Sequence, residues 1–282
     1  MIFAAGLGTR LYPLTANKPK ALVEYQGKPL LEHALLKVME AGIRHIVINV
    51  HHFGEQIIDF VNQHHFNATI EISDEREKLM DTAGGLKFAE HFFKTSNSIL
   101  LYNVDVITDM DLGKFLNDDV MMRRCDDEMI VGALRAMPTE QKSPSNFEGV
   151  SRGARRGSLY QIAKIAVRHR PTHRYFLFEE PELRLCGWTN TQTNEKKLCY
   201  EVENPTPLAF SGIHIVDKKI LELIPNNEKL SFTPLYLELA KNYHIQGYLH
   251  DEDSWMDMGK VENFSNKSSE KKNEFSFPSA LY

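Results

Sequence analysis

The first third of the chain alternates β-branched apolar runs with helical segments, and this alternation restricts the fold more than any other feature. His45–Val50 and Ser98–Asn103 have the length and composition of buried strands. Pro29–Ala41 repeats leucine and valine at helical spacing, with proline in its first turn and glycine after its end. Strands and helices at this spacing form β-α-β units around a mainly parallel sheet, which binds ligands at the carboxyl ends of its strands. We therefore predict an α/β fold.

The same patterns predict the other elements. Further strands are predicted at Met1–Ala5, Thr69–Ser73, Lys164–Val167, Arg174–Phe178, Leu208–Val216 and Ile245–His250. Further helices are predicted at Phe53–Gln63, Gly85–Phe93 and Thr233–Lys241.

One domain over residues 1–264 accommodates these elements, followed by a flexible tail over residues 265–282 that is rich in Ser, Asn, Lys and Glu. Residues from about 117 to 161 have the character of an insertion between a helix and the next strand. Three interpretations of the insertion stay open: a lid, a contact in a homo-oligomer, or a poorly ordered segment.

Charge and cysteine content argue against several classes of protein. A net charge of −5 and a pI of about 6.2 give no sign of a nucleic-acid-binding surface. The chain has no apolar run long enough to span a bilayer, so no membrane partner is expected. Its three cysteines form no CxxC pair, which disfavours a zinc site or a disulfide framework and favours a cytoplasmic location.

A glycine-rich segment, Gly6–Arg10, follows the first predicted strand. Glycines allow the backbone to approach a phosphate closely, and Arg10 and Lys20 add cations suited to phosphate. Taken alone, the glycines could serve only the shape of a turn. A dinucleotide-binding fingerprint and a P-loop both fit poorly, since Leu11 occupies the third glycine position and no Gly-Lys-Ser/Thr follows. The candidate nucleotide-binding residues of this loop are Ala5, Gly6, Gly8 and Thr9.

The segment GLGTRLYPLTANKPKALVEYQGKPLLEH resembles the signature of the sugar-nucleotide pyrophosphorylase family, also called sugar-1-phosphate nucleotidyltransferases. The resemblance is greatest to bacterial members of the N-acetylmuramate-1-phosphate uridylyltransferase and mannose-1-phosphate guanylyltransferase type. It covers most of residues 1–111 and resumes through the last third. It implies a Rossmann-like three-layer α/β/α sandwich of the nucleotide-diphospho-sugar transferase type, with a mainly parallel, mixed sheet. It also implies that Arg10 holds the leaving pyrophosphate and that Lys20 neutralises the reacting phosphates.

Two aspartates follow predicted strands in opposite halves of the chain. Asp105 ends the sequence Asn103-Val104-Asp105, and Asp257 lies in Trp255–Lys260. Either aspartate alone is compatible with a helix cap or a turn. The resemblance implies that both hold Mg²⁺, the expected cofactor, and it places Asn103 at the nucleotide.

Asp81–Gly85 precedes the predicted helix at Gly85. Glycines at a helix start leave N–H groups free for an anion or a base, although a simple N-cap is an equally good interpretation. The resemblance implies base recognition by Thr82, Gly84 and Gly85, mostly through the backbone. The identity of the base therefore cannot be predicted.

The resemblance also implies a sugar pocket along the strand that contains Ser211 and Gly212, although a buried strand in close contact with another backbone is an equally good interpretation. Family members often have Glu-Lys-Pro before this strand, where the lysine holds the sugar phosphate. This chain has Glu203-Asn204-Pro205, so only Glu203 is retained as a candidate.

The expected substrates are a nucleoside triphosphate and a sugar 1-phosphate, and the expected products are a nucleotide sugar and pyrophosphate. The implied mechanism is a direct in-line attack by the sugar phosphate. Two alternatives remain. A glycosyltransferase would use an Asp-x-Asp motif, which this chain replaces with Asn-Val-Asp. A non-catalytic sugar-nucleotide sensor would bind ligand and lack the metal ligands.

Overall fold

The computed structural model describes residues 1–117 and 159–265. The predicted insertion and the C-terminal tail lie almost entirely outside these residues. Within them, no helix combines the length and the apolar composition needed to cross a membrane.

The elements are numbered in chain order. The strands are β1 (Ile2–Phe3), β2 (Glu24–Tyr25), β3 (Lys28–Pro29), β4 (His45–Val50), β5 (Thr69–Asp74), β6 (Ser98–Asn103), β7 (Val106–Thr108), β8 (Gln161–Arg168), β9 (Arg174–Glu179), β10 (Arg184–Asn190), β11 (Glu195–Leu198), β12 (Thr206–Asp217), β13 (His244–Leu249) and β14 (Trp255–Asp257). The helices are α1 (Leu30–Glu40), α2 (Gly54–Gln63), α3 (Asp81–Phe88), α4 (Leu112–Asn117), α5 (Ile220–Leu223), α6 (Phe232–Leu239) and α7 (Glu262–Ser265). Short 3-10 turns lie at Thr9–Leu11, Lys20–Leu22 and Glu90–Phe93.

A mixed sheet forms the centre of the described residues, and the predicted α/β fold is confirmed. Its strand order is β11-β10-β13-β8-β12-β6-β1-β4-β5, with β9 paired to β10 and β12. Strands β1, β4, β5 and β6 from the first half pair in parallel. In the second half most pairings are antiparallel, among them the β9–β10 and β10–β11 hairpins, whereas β8 and β13 pair in parallel.

Apolar residues on both faces of the sheet produce its three layers. In β4, Ile46 and Ile48 belong to a hydrophobic cluster with α1, whereas Val47 between them belongs to a cluster on the opposite face. This alternation follows from the two-residue side-chain period of a strand. The second cluster includes residues of α3 and α6, such as Leu86 and Tyr236.

The structure differs from the sequence predictions at one helix boundary and at several short elements. Helix α3 begins at Asp81, not at Gly85, so both glycines of the Ala83-Gly84-Gly85 segment lie inside the helix. Strands β2, β3, β7, β10, β11 and β14 and the short helices α5 and α7 were not predicted. Two of these, β7 and β14, are only three residues long, and they pair with each other across most of the chain.

Candidate functional site

The glycine loop folds back on itself directly after β1. Gly8 has a φ of +66°, and its carbonyl accepts hydrogen bonds from the Leu11 amide at 2.9 Å and from Thr15 Oγ1 at 2.9 Å. A side chain at Gly8 would meet Thr15 at 3.0 Å and Lys20 Cβ at 3.1 Å. The loop therefore packs against the segment that carries Lys20, and Gly6 and Thr9 remain exposed.

Asn49, at the end of β4, fixes the start of this loop. Its buried Oδ1 accepts from the amides of Ala4 at 2.7 Å and Ala5 at 3.3 Å, and its Nδ2 donates to Glu75 Oε1 at 2.8 Å. Glu75 Oε2 accepts from the Met80 amide, and burial raises the pKa of Glu75 above its usual value. This network was missed in the sequence, where the only signal was an asparagine within an otherwise apolar strand.

Lys20 and Asp105 form an ion pair at the carboxyl end of the sheet. Lys20 Nζ donates to Asp105 Oδ2 at 2.7 Å, and their side chains are 15% and 11% exposed. The two residues come from a surface turn and from the loop between β6 and β7. A pair this well shielded is more strongly coupled than an ion pair on an open surface.

The small ladder of β7 and β14 brings the two aspartates together. Asp257 is opposite Val106 in this antiparallel pair, and the Met258 amide donates to the Asp105 carbonyl at 2.7 Å. Asp105 and Asp257 are therefore held next to each other by backbone hydrogen bonds, although 152 positions separate them in the sequence.

A separate apolar cluster fixes the glycine loop against this ladder. Leu11, next to Arg10, and Met258, next to Asp257, are both fully buried in this cluster. Ile107 of β7 completes the contact between loop and ladder. Burial of such side chains contributes about 1.5–3 kcal/mol each, so the positions of the charged neighbours are strongly determined.

Gly259 marks the point where the charged groups converge. A Cβ at this residue would lie 2.7 Å from Asp257 Oδ1, 2.8 Å from Asp105 Oδ2 and 3.1 Å from Arg10 Nη2. Since Lys20 donates to the same oxygen of Asp105, the four predicted residues share one cleft. A side chain at residue 259 would displace these three charged groups.

The donor set of this cleft fits Mg²⁺. Asp105 Oδ2 accepts a hydrogen bond from Lys20, and Asp257 Oδ1 accepts one from the Gly259 amide at 2.8 Å. Within residues 1–117 and 159–265, the other carboxylate oxygen of each aspartate has no protein donor. The described residues contain no group of three or more His, Cys, Asp or Glu side chains that could hold a metal. Mg²⁺ is usually held by one or two carboxylates, with substrate phosphates and water completing the coordination.

The predicted base-binding loop differs from the expectation. The Gly84 amide is not free, because it donates to the Leu230 carbonyl at 3.0 Å, and a Cβ there would lie 2.3 Å from the Glu228 carbonyl. The reason given for Gly84 as a base contact was therefore wrong. Thr82 Oγ1 accepts from the Phe232 amide, and Gly85 faces Glu75 Oε1. Base recognition by Thr82 and Gly85 stays a prediction.

An irregularity in β12 places Ser211 and Gly212 beside the cleft. Gly212 has a φ of +80°, and a side chain there would meet Asn103 Nδ2 at 2.9 Å. The buried Ser211 hydroxyl contacts His250 Nε2 at 2.6 Å, so it is used within the protein. Glu203 is exposed, and no ion pair or hydrogen bond holds it among the described residues. Sugar binding by these residues stays a prediction.

A known protein family matches more than half of this chain. The profile of the family described as Nucleotidyl transferase matches residues 1–152, more than half of the 282 residues. The chain belongs to the nucleotidyl transferase family. The predicted membership in the sugar-1-phosphate nucleotidyltransferases is thereby confirmed.

Curated relatives of this family member match about a third to two fifths of its length. An N-acetylmuramate alpha-1-phosphate uridylyltransferase from Caulobacter vibrioides is 42% identical over 92 residues, which are 32% of this chain and 38% of the relative. A mannose-1-phosphate guanyltransferase from Hypocrea jecorina is 39% identical over 119 residues, which are 41% of this chain and 32% of the relative. The matched stretch thus spans about a third of the length of these relatives.

Solved structures match over nearly the whole chain at low identity. HddC from Yersinia pseudotuberculosis has a TM-score of 0.63 at 18% identity, covering 94% of this chain and 95% of that chain. A UDP-glucose pyrophosphorylase from Acinetobacter baumanii has a TM-score of 0.63 at 15% identity, covering 94% and 89%. At this identity the likeness establishes the fold, which is the one predicted.

Proposed function

We propose that this protein transfers a nucleotidyl group from a nucleoside triphosphate to a sugar 1-phosphate, in a reaction that requires Mg²⁺ and releases pyrophosphate. The observation that supports this most is the convergence of Arg10, Lys20, Asp105 and Asp257 on one cleft. Two cations and two carboxylates at the carboxyl ends of the strands suit a reaction between two phosphorylated substrates.

The reaction needs no nucleophile from the protein. An oxygen of the sugar 1-phosphate attacks the α-phosphorus, a new P–O bond forms, and the bond to the β-phosphate oxygen breaks. The leaving pyrophosphate takes the electron pair of that bond. The protein contributes positioning and charge, since both substrates are anions that repel each other.

Each cleft residue has a role that follows from its contacts. Lys20 is held by Asp105 at the cleft and donates to the oxygens of the reacting phosphates. Arg10, whose Nη2 lies beside Gly259, presents a planar donor group suited to the leaving pyrophosphate. Asp105 and Asp257 would hold Mg²⁺ through their free oxygens, and the ion would supply positive charge to the phosphates.

Pyrophosphate release tests this function. The relatives named above use uridylyl and guanylyl donors, so UTP and GTP are assayed with N-acetylmuramate 1-phosphate, mannose 1-phosphate and glucose 1-phosphate. ATP, CTP and dTTP extend the panel. The proposal predicts release with at least one pair, and loss of release when EDTA replaces Mg²⁺.

Two variants make the metal requirement specific. Asp257→Asn is expected to raise the Mg²⁺ concentration needed for half-maximal rate and to lower the rate at saturation, because a carboxylate ligand is lost. Glu252→Gln is the control, since Glu252 is exposed in the preceding acidic loop. Triphosphate hydrolysis, or ligand binding without turnover for every pair, would contradict the proposed reaction.

A further inference from the structure

Arg170 lies beside the cleft and has no role in the function described so far. Its guanidinium stacks on the indole ring of Trp255, with Cζ 4.5 Å from the ring centroid. Trp255 and Asp257 are alternate residues of β14 and so face the same side of that strand. The arginine is therefore positioned next to the metal-binding aspartate.

The donors of Arg170 are only partly used. Nη2 donates to the Phe210 carbonyl at 3.0 Å, whereas the buried Nε has no hydrogen-bond partner within the described residues. Burial lowers the pKa of Arg170, and the nearby charge of Asp257 partly offsets that effect. A phosphate bound in the cleft would supply the acceptor that this Nε lacks.

The surroundings of Arg170 are held firmly. Trp255 Nε1 donates to the Ser211 carbonyl at 2.8 Å, and Ser211 Oγ contacts His250. The irregular part of β12 that supplies the Phe210 carbonyl also contains Gly212, with its φ of +80°. The indole ring of Trp255 is thus held in place, and it positions the stacked Arg170 guanidinium beside the cleft.

Other cations near Arg170 are either paired within the protein or assigned to the triphosphate. Arg168 donates to the Asp253 and Asp251 carbonyls at 3.0 and 3.3 Å, and Lys260 pairs with Glu262 at 3.6 Å. Arg10 and Lys20 serve the triphosphate in the proposed reaction. The second anionic substrate still requires a cation of its own, because its charge opposes that of the triphosphate.

We infer that Arg170, stacked on Trp255, binds the phosphate group of the acceptor sugar 1-phosphate. This inference rests on the proposed function and assigns the acceptor side of its site. Arginine suits this role because its planar donors match phosphate oxygens in pairs.

Arg184 provides a matched control. Its guanidinium stacks on Tyr200 at the same 4.5 Å, it contacts one backbone carbonyl, and its buried Nε also lacks a partner in the described part of the chain. It lies on β10, which among the described strands pairs with β9, β11 and β13. Arg170→Ala and Arg184→Ala thus remove equivalent packing at two different places.

Steady-state kinetics of pyrophosphate release distinguish an effect on KM for the sugar 1-phosphate from an effect on KM for the triphosphate. Arg170→Ala is expected to raise KM for the sugar 1-phosphate by about 10- to 100-fold and to leave KM for the triphosphate within about twofold, because one charge-assisted contact is lost. Arg170→Lys is expected to restore part of that loss. Arg184→Ala is expected to leave both KM values unchanged. An unchanged sugar-phosphate KM in Arg170→Ala, or an equal rise in both KM values, would overturn the inference.

Calorimetry distinguishes failure of this inference from failure of the proposed reaction. Mannose 1-phosphate and N-acetylmuramate 1-phosphate are titrated into the wild-type protein, Arg170→Ala and Arg184→Ala. Binding to wild type and Arg184→Ala that is lost in Arg170→Ala supports the acceptor site, even if no turnover is found. Equal binding by all three proteins would reject the site while leaving the reaction intact, and no binding by any of them would reject the site.

Discussion

The Lys20 ammonium donates to Asp105 Oδ2 at 2.7 Å, so a cation from the glycine-loop segment is paired with a carboxylate that follows β6. The amide of Met258, the residue after Asp257, donates to the Asp105 carbonyl at 2.7 Å. Asp105 therefore connects the glycine-loop side of the cleft to the β14 side. This connection explains why residues from both ends of the described chain lie at one place.

Lys20→Ala is predicted to lower kcat by about 100- to 1000-fold, because a donor to the transferring phosphates is lost. Lys18→Ala is the control, since Lys18 is exposed two residues earlier. The rate is measured at saturating concentrations of both substrates, and thermal unfolding verifies that both variants are folded at the assay temperature. A wild-type rate in Lys20→Ala would refute the role of this lysine.

Gly259→Ala is predicted to abolish most activity without unfolding the protein. The added Cβ would lie within 3.1 Å of Asp257, Asp105 and Arg10, so these charged groups must separate. Gly113→Ala in α4 is the control, because its Cβ would approach only the exposed side chain of Asp111, which precedes that helix. Pyrophosphate release and circular dichroism are recorded for both. Equal activity of the two variants would show that the spacing at Gly259 has no importance.

Asn49→Leu is predicted to destabilise the protein by about 1–3 kcal/mol for each buried polar group left unpaired. The groups concerned are the Ala4 amide and Glu75 Oε1, and the start of the glycine loop should become mobile. Urea unfolding measures the stability, and KM for the triphosphate reports on the loop. Asn67→Leu serves as a substitution of the same type at a surface residue. Similar effects of the two changes would contradict the role of Asn49.

Much of this arrangement could be predicted from local patterns. The GLGTR loop, the helix after Pro29 and the strand His45–Val50 all depend on residues close together in the chain, and each is found where it was expected. Asp105 and Asp257 were identified through motifs, and the structure places them side by side.

Contacts between distant segments could not be predicted. Gly84 has the spacing of a base-binding glycine, yet its amide is bonded to Leu230, which lies in a loop near α6. Arg170 has no motif of its own, and its position depends on Trp255 in β14. Such pairings depend on the closure of long loops, which local sequence does not report.

His250 is predicted to make stability depend on pH. Burial lowers its pKa from 6.5 to about 4, so between these values the unfolded chain binds a proton that the folded chain does not. The free energy of unfolding should therefore decrease as pH falls through this range, by on the order of 3 kcal/mol from this histidine. Urea unfolding from pH 7 to pH 4 should show a weaker dependence in His250→Gln, while other groups contribute equally to both proteins. Parallel curves would contradict the assignment.

The most direct test of a single catalytic centre is a double-mutant cycle on kcat for Lys20→Ala and Asp257→Asn. Residues that act together on one transferring group have non-additive effects, so the double variant should be only slightly slower than the slower single variant. A double variant whose loss equals the product of the two single losses would show that the two side chains act independently, and it would contradict the shared cleft as the site of reaction.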